Sequence, residues 1–171
     1  INGDNFVFKG MLKRKLTAEQ FADAVSMVVH PIYSVEALKY NPLGNEEAFK
    51  NVNSFVRAAL VQNDPFLTAL GRPSRENIIS AREGQATLLQ AMELTNGKLL
   101  NETLIAGAKE WADDHQSPES LTEAVFRQSF GRAPSEDERR VANEILENGV
   151  DTNAVQDLLW AVILLPEFQF I

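Results

Sequence analysis

Between Asp151 and Pro166 the chain reads DTNAVQDLLWAVILLP, with Val155, Leu158, Leu159, Val162 and Ile163 at i, i+3, i+4, i+7 and i+8. That spacing is one face of an α-helix. Asp151 supplies an N-cap and Pro166 a stop. A helix carrying this much apolar surface has to be covered. Its longest unbroken apolar run, Leu158 to Leu165, is far below the roughly 18 residues of a membrane span, so it is expected to be buried in protein.

The rest of the chain is punctuated in the same way. In LTAEQF, Thr17 caps, Gln20 completes a capping box three residues on, and Leu16 staples onto Phe21. Phe21, Ala24, Val25 and Val28 then share a face until Pro31. Residues 31–52 mix Pro, Gly and Asn with weak periodicity and read as a loop-rich connection, followed by a short helix over Val52 to Leu60. Asp64 before Pro65 and Ser117 before Pro118 each place a cap next to a proline at the first helical position, where its missing N–H costs nothing. Leu88, Ala91, Met92 and Thr95 recur at helical spacing, Gly97 punctuates, and Leu100, Leu104, Ala108 and Trp111 mark the next helix. After Ser117, Leu121, Ala124 and Val125 point inward. Ser135 and Glu138 form a second capping box, and Val141, Ala142, Ile145 and Leu146 make a stripe that Gly149 ends. No alternating strand pattern appears. The expected fold is all-α, an irregular bundle of about six or seven helices in a single helical domain over residues 1–171, with an ordered polar connection around residues 71–84.

Composition excludes several function classes. The chain has no cysteine, so disulfides, thiolate metal sites, thiol nucleophiles and covalent haem attachment through Cys-x-x-Cys-His are all ruled out within it. A net charge of −8 argues against a nucleic-acid surface, which needs clustered Lys and Arg. The compact basic run from Lys9 to Lys15 reads as a solvated segment entering the first helix. The first residue is Ile1 rather than Met, which suggests the C-terminal fragment of a larger protein whose upstream part would hold any targeting signal.

Two segments repeat one grammar: LGRPSREN at 70–77 and FGRAPSEDE at 130–138. In each, a Phe (Phe66, Phe126) lies five residues before the Gly, and Gly71 or Gly131 suits a helix C-terminus. Arg72 or Arg132 can meet the last orphan carbonyls, Pro73 or Pro134 blocks continuation, and Ser74 or Ser135 can cap the next segment. A new helix after Ser135 accounts for every residue of the second copy. The first copy is different. Arg75 comes after Ser74, Ile78, Ile79 and Ser80 are poor helix formers, and Gly84 interrupts, yet Arg72, Arg75, Arg82, Glu83, Gln85, Thr87 and Gln90 crowd into nineteen residues. Either these arginines brace the domain's own carbonyls and carboxylates, or they form a surface for a partner or an anion, because guanidinium forks suit planar oxyanions. The interaction candidates are Arg72, Arg75, Arg82, Glu83 and Gln90; Gly71, Pro73, Gly97, Gly131, Arg132, Pro134 and Ser135 form the structural motif.

Other chemistry is sparse. His115 comes after Asp113 and Asp114 on consecutive positions at a helix end, which diverge, so no metal site is expected. His30 has neither a carboxylate nor a serine partner nearby in sequence, so no triad can be argued from it. Trp111 and Trp160 each fall on an apolar stripe and read as core. A phosphate-cradling Gly-rich loop and a helical His-Glu-x-x-His are both missing.

FKGMLKRKLTAEQFADAV, VRAALVQNDPFLTALGRPSREN, TLLQAMELTNG, FGRAPSEDE and LLWAVILLPEFQF occur in that order, and with them the chain resembles the family called domain of unknown function 1553, found in Planctomycetes and Verrucomicrobia. The family-like residues are Gly71, Arg72, Pro73, Arg75, Arg82, Thr87, Gln90, Asn96 and Gly97 in the first long motif, and Gly131, Arg132 and Pro134 in the second. Many relatives carry cysteines where Ile78 and Ser80 stand here, which removes any thiol role for that loop. The resemblance implies an upstream companion domain in the same polypeptide, often a c-type cytochrome domain, and a periplasmic or cell-envelope location. It supplies no catalytic residues and implies no cofactor in this part of the protein. The function expected is a non-catalytic interaction or packing module. The alternatives are a fragment of an envelope hydrolase acting on glycans, with Glu83 or Glu93 as acid–base groups, and a purely structural domain.

Overall fold

Thr17 and Gln20 close the expected capping box: Gln20 N donates to Thr17 Oγ1 at 3.2 Å and Thr17 N to Gln20 Oε1 at 3.0 Å. This starts α1 (Ala18–Val28), which buries Phe21, Ala22, Val25 and Val28. The computed structural model describes residues 13–34, 56–73, 87–147 and 149–171. A 3₁₀ turn (Ala58–Leu60) precedes α2 (Pro65–Ala69), α3 (Leu88–Asn96), α4 (Lys98–Asp114), α5 (Pro118–Phe130), α6 (Glu136–Ile145), α7 (Thr152–Leu164) and α8 (Pro166–Gln169). Asp64, Thr87, Ser117, Ser135 and Asp151 each accept a backbone N–H at the start of the helix they introduce. Among the described residues the protein is all-α, and no helix is long and apolar enough to cross a membrane. One isolated bridge joins Lys15 to Phe170, with Arg14 N donating to Ile171 O at 2.7 Å.

The core is built where the sequence is most apolar. Val155, Leu158, Leu159, Val162 and Ile163 of α7 are all buried, and α7 packs along α4, which contributes Leu100, Leu104 and Ala108. Leu121, Val125 and Phe126 of α5 and the inner face of α1 complete it. Gly107, in the middle of α4, marks a close approach of the end of α1. A Cβ there would lie 2.5 Å from the Val29 carbonyl oxygen, so the end of α1 can sit on α4 only because residue 107 has no side chain. At one edge Phe21, Phe126, Phe130 and Phe168 form an aromatic cluster with edge-on pairs, Phe21 against Phe168 at 5.9 Å and Phe130 against Phe168 at 6.3 Å.

Several expectations are corrected. Of the short helix expected over Val52 to Leu60, residues 52–55 lie outside the described residues and the remainder forms only the 3₁₀ turn. The Arg72 side chain occupies the Ala58 and Ala59 carbonyls that a continuing helix would use. On α3 the stripe Leu88, Ala91, Met92, Thr95 faces outward, and the buried face is Gln90 and Leu94. Its rotation is fixed by tertiary bonds: Lys15 Nζ donates to Gln90 Oε1, and Trp160 Nε1 to Leu94 O at 2.8 Å. On α6, Val141 is exposed and only Ala142 of the helix is buried, with Leu146 just beyond it. The basic run at residues 9–12, the loop-rich connection over 35–52 and the polar connection over 74–84 lie outside the described residues.

Candidate functional site

The two Gly-Arg-Pro corners share a glycine and differ in the arginine. After α2, Gly71 has φ +91°, Gly71 N donates to Thr68 O and Arg72 N to Leu67 O, each at 2.9 Å. This is a Schellman closure, which satisfies two orphan carbonyls through the backbone alone. The Arg72 side chain is therefore free to turn inward. It is 8% exposed, donates from Nη1 to Ala58 O at 3.1 Å and from Nη2 to Ala59 O at 3.4 Å, and sets Nε 3.4 Å from Glu19 Oε1. Two further bonds tie the same region. Ala58 N donates to Asp23 Oδ1 at 2.7 Å, and Tyr33 OH to Asp64 Oδ2 at 2.7 Å. Burial first, and the Asp64 carboxylate second, push the Tyr33 hydroxyl well above its ordinary range, so it remains a donor.

At the second corner Gly131 has φ +69° and its N–H closes α5 on Arg127 O at 2.9 Å. The expectation that Arg132 meets the last carbonyls of the helix is corrected. It binds carboxylates: Nη1 and Nη2 each donate to Glu138 at 2.8 Å, and Nη2 and Nε to Glu167 at 2.6 and 3.1 Å. Its guanidinium carbon also lies 5.4 Å from the Phe130 ring centroid and 5.7 Å from that of Phe126. Two acids within reach outcompete neutral carbonyls for a guanidinium fork, and the helix end is already closed by Gly131. Pro134 is buried and Ser135 holds the capping box with Glu138.

Of the interaction candidates, Arg72 is enclosed by the domain, and Gln90 is 6% exposed, with its amide oxygen taken by Lys15. Arg75, Arg82 and Glu83 lie outside the described residues. Glu93 is half-buried on α3, and Gly97 lacks a side chain because a Cβ would collide with the Glu93 carbonyl and carboxylate. Among the described residues, the start of α3 presents apolar side chains to solvent. Leu88 and Leu89 are 78% and 53% exposed at the start of α3, and Met92, one turn on, is 56% exposed.

A second region was not legible locally. The ends of α1 and α4, with one side of α5, line a groove of about 470 Å³ that contains both histidines of the chain. His30 Nδ1 lies 3.1 Å from Glu110 Oε1, close enough for an ion pair but out of line for a hydrogen bond. The carboxylate that His30 lacks in sequence is thus supplied by α4. His115 donates from Nδ1 to Trp111 O at 3.1 Å and stacks on the Trp111 indole with centroids 5.2 Å apart. The indole N–H in turn caps Val28 O at 2.9 Å, and Gln128 Nε2 caps Met27 O at 2.7 Å. Gly107, an isolated glycine in a helical pattern, was the one local signal for this junction. Among the described residues no group of three or more His, Asp or Glu could hold a metal ion.

A fold of this kind, helices closed by capped corners around an apolar C-terminal helix, defines a class by architecture and not by chemistry. The chain belongs to the PSD1 family, described as "Protein of unknown function (DUF1553)", whose family model matches residues 1–146. No curated protein and no solved structure matches it.

Proposed function

We propose that this domain is a non-catalytic interaction module that docks onto a companion domain of the same polypeptide. The observation that carries the reading is the outward face of α3. Leu88, Leu89 and Met92 sit at the i, i+1 and i+4 positions of one helix, each more than half exposed, on an otherwise acidic protein. Helical anchors at this spacing are the usual way a helix enters a partner's groove. Arg75 and Arg82 precede α3 in sequence, and arginine is among the residues enriched at protein interfaces. An exported, envelope-located parent protein carrying a c-type cytochrome domain is part of the same reading and rests on the family resemblance.

The test uses the whole polypeptide. Leu88→Glu with Met92→Glu alters only exposed positions, so the melting temperature should hold while association between this domain and the upstream part weakens in a pull-down. Arg75→Glu with Arg82→Glu should weaken it likewise. Association unchanged in both double variants refutes the module.

A further inference from the structure

The groove between α1, α4 and α5 has an electrostatic character that docking through α3 does not use. We infer that it binds an organic cation, the lysine or arginine side chain of a protein partner. Two helices, α1 and α4, end at it, and neither has a basic residue in its last turn. Helix C-termini carry partial negative charge on their last carbonyls, which cations offset. Here the donors to the Met27 and Val28 carbonyls are a neutral amide and a neutral indole, so no cation among the described residues caps that end. Glu110 and Asp114, one turn apart on α4, add two carboxylates. Glu110 lies beside His30, and Asp114 has no ion pair among the described residues. An anion would meet two carboxylates and two negative helix ends, and a neutral ligand would leave them uncompensated.

The shape selects among cations. A groove of about 470 Å³ is far larger than a bare ion requires, and a long side chain with an apolar stem fits it. The stacked Trp111 and His115 rings offer an aromatic surface to a planar guanidinium. The recognition element is thus a basic side chain entering an acceptor-lined groove, at a position distinct from the α3 face.

The experiment is an NMR titration of the 171-residue chain with N-acetyl-arginine amide, run beside the uncharged N-acetyl-citrulline amide. The expected result is localised shifts at the Trp111 indole, His30 and His115 with the arginine compound and much weaker ones with citrulline. Glu110→Gln with Asp114→Asn should weaken binding about fivefold, the scale of partly exposed charge contacts. Asp137→Asn, an exposed carboxylate on α6, should leave it unchanged. Equal response to citrulline, shifts scattered over the acidic surface, an unaltered double variant or an equal effect of Asp137→Asn would each overturn the assignment. Because Leu88 and Met92 line no part of the groove, this result and the α3 docking result are separable.

Discussion

At the scale of single residues, Arg72 and Arg132 stand at the same place in the same local grammar and do different work. Arg72 is enclosed and distributes its guanidinium over two carbonyls and Glu19, so a lysine, which cannot present a planar fork, should not replace it. Arg72→Ala is expected to destabilise by about 3 kcal/mol, because two carbonyls lose a charged donor and the guanidinium is removed from beside Glu19, and Arg72→Lys should recover less than half. Chemical denaturation of the two variants checks this, and equal stability of Lys and Arg at 72 would show that charge alone suffices. The glycines before them are comparable to each other. Nothing lies within 4 Å of a Cβ built at Gly71 or Gly131, so alanine there meets no clash, only the cost of positive φ. Gly131→Ala should therefore cost about 1–2 kcal/mol, with Gly131→Asn costing less, measured by thermal melting.

At the scale of elements, Arg132 is the joint of α5, α6 and α8. Its guanidinium, and after it the Ser135 backbone N–H, holds the Glu138 carboxyl at about 2 against an ordinary 4.5, and it also lowers that of Glu167. A carboxyl whose folded value is depressed stabilises the fold above its unfolded value and loses that contribution as the pH falls through the folded one. The joint should therefore weaken between about pH 4.5 and 2. Glu138→Gln should cost about 1 kcal/mol at neutral pH and flatten the acid limb of a melting-temperature profile over that interval. A variant whose acid limb matches that of the parent would place the acid sensitivity elsewhere. The caps of these elements were readable in sequence, since Thr17, Asp64, Ser117, Ser135 and Asp151 act on backbone groups three residues away or fewer. The rotation of α3 was not, because Leu88 and Met92 satisfy helical spacing as well as Gln90 and Leu94 do. Only partners distant in sequence, Lys15 and Trp160, choose between the two faces. The histidine groove was hidden for the same reason, as His30 and Glu110 are brought together by the approach that Gly107 permits.

At the scale of the molecule, the stretch matched by the family model and the unit that folds do not coincide. The match ends at residue 146, yet α7 and α8 lie beyond it and supply Val155, Leu158, Leu159, Val162, Ile163 and Phe168 to the core. Without them α4 loses the helix that covers its apolar face, and the aromatic cluster loses Phe168, the ring that both Phe21 and Phe130 meet edge-on. A chain ending at Leu146 should therefore show no cooperative thermal transition, whereas Leu159→Ala, which removes one buried side chain and leaves the helix, should retain the transition and lose about 2–5 kcal/mol. The pair of experiments separates two accounts of the C-terminal segment. If α7 is an appendage, the truncated chain melts cooperatively and Leu159→Ala is mild; if α7 is the core helix that its i, i+3, i+4, i+7, i+8 stripe describes, the truncation abolishes folding and the point substitution is costly. The burial of every residue of that stripe requires the second outcome.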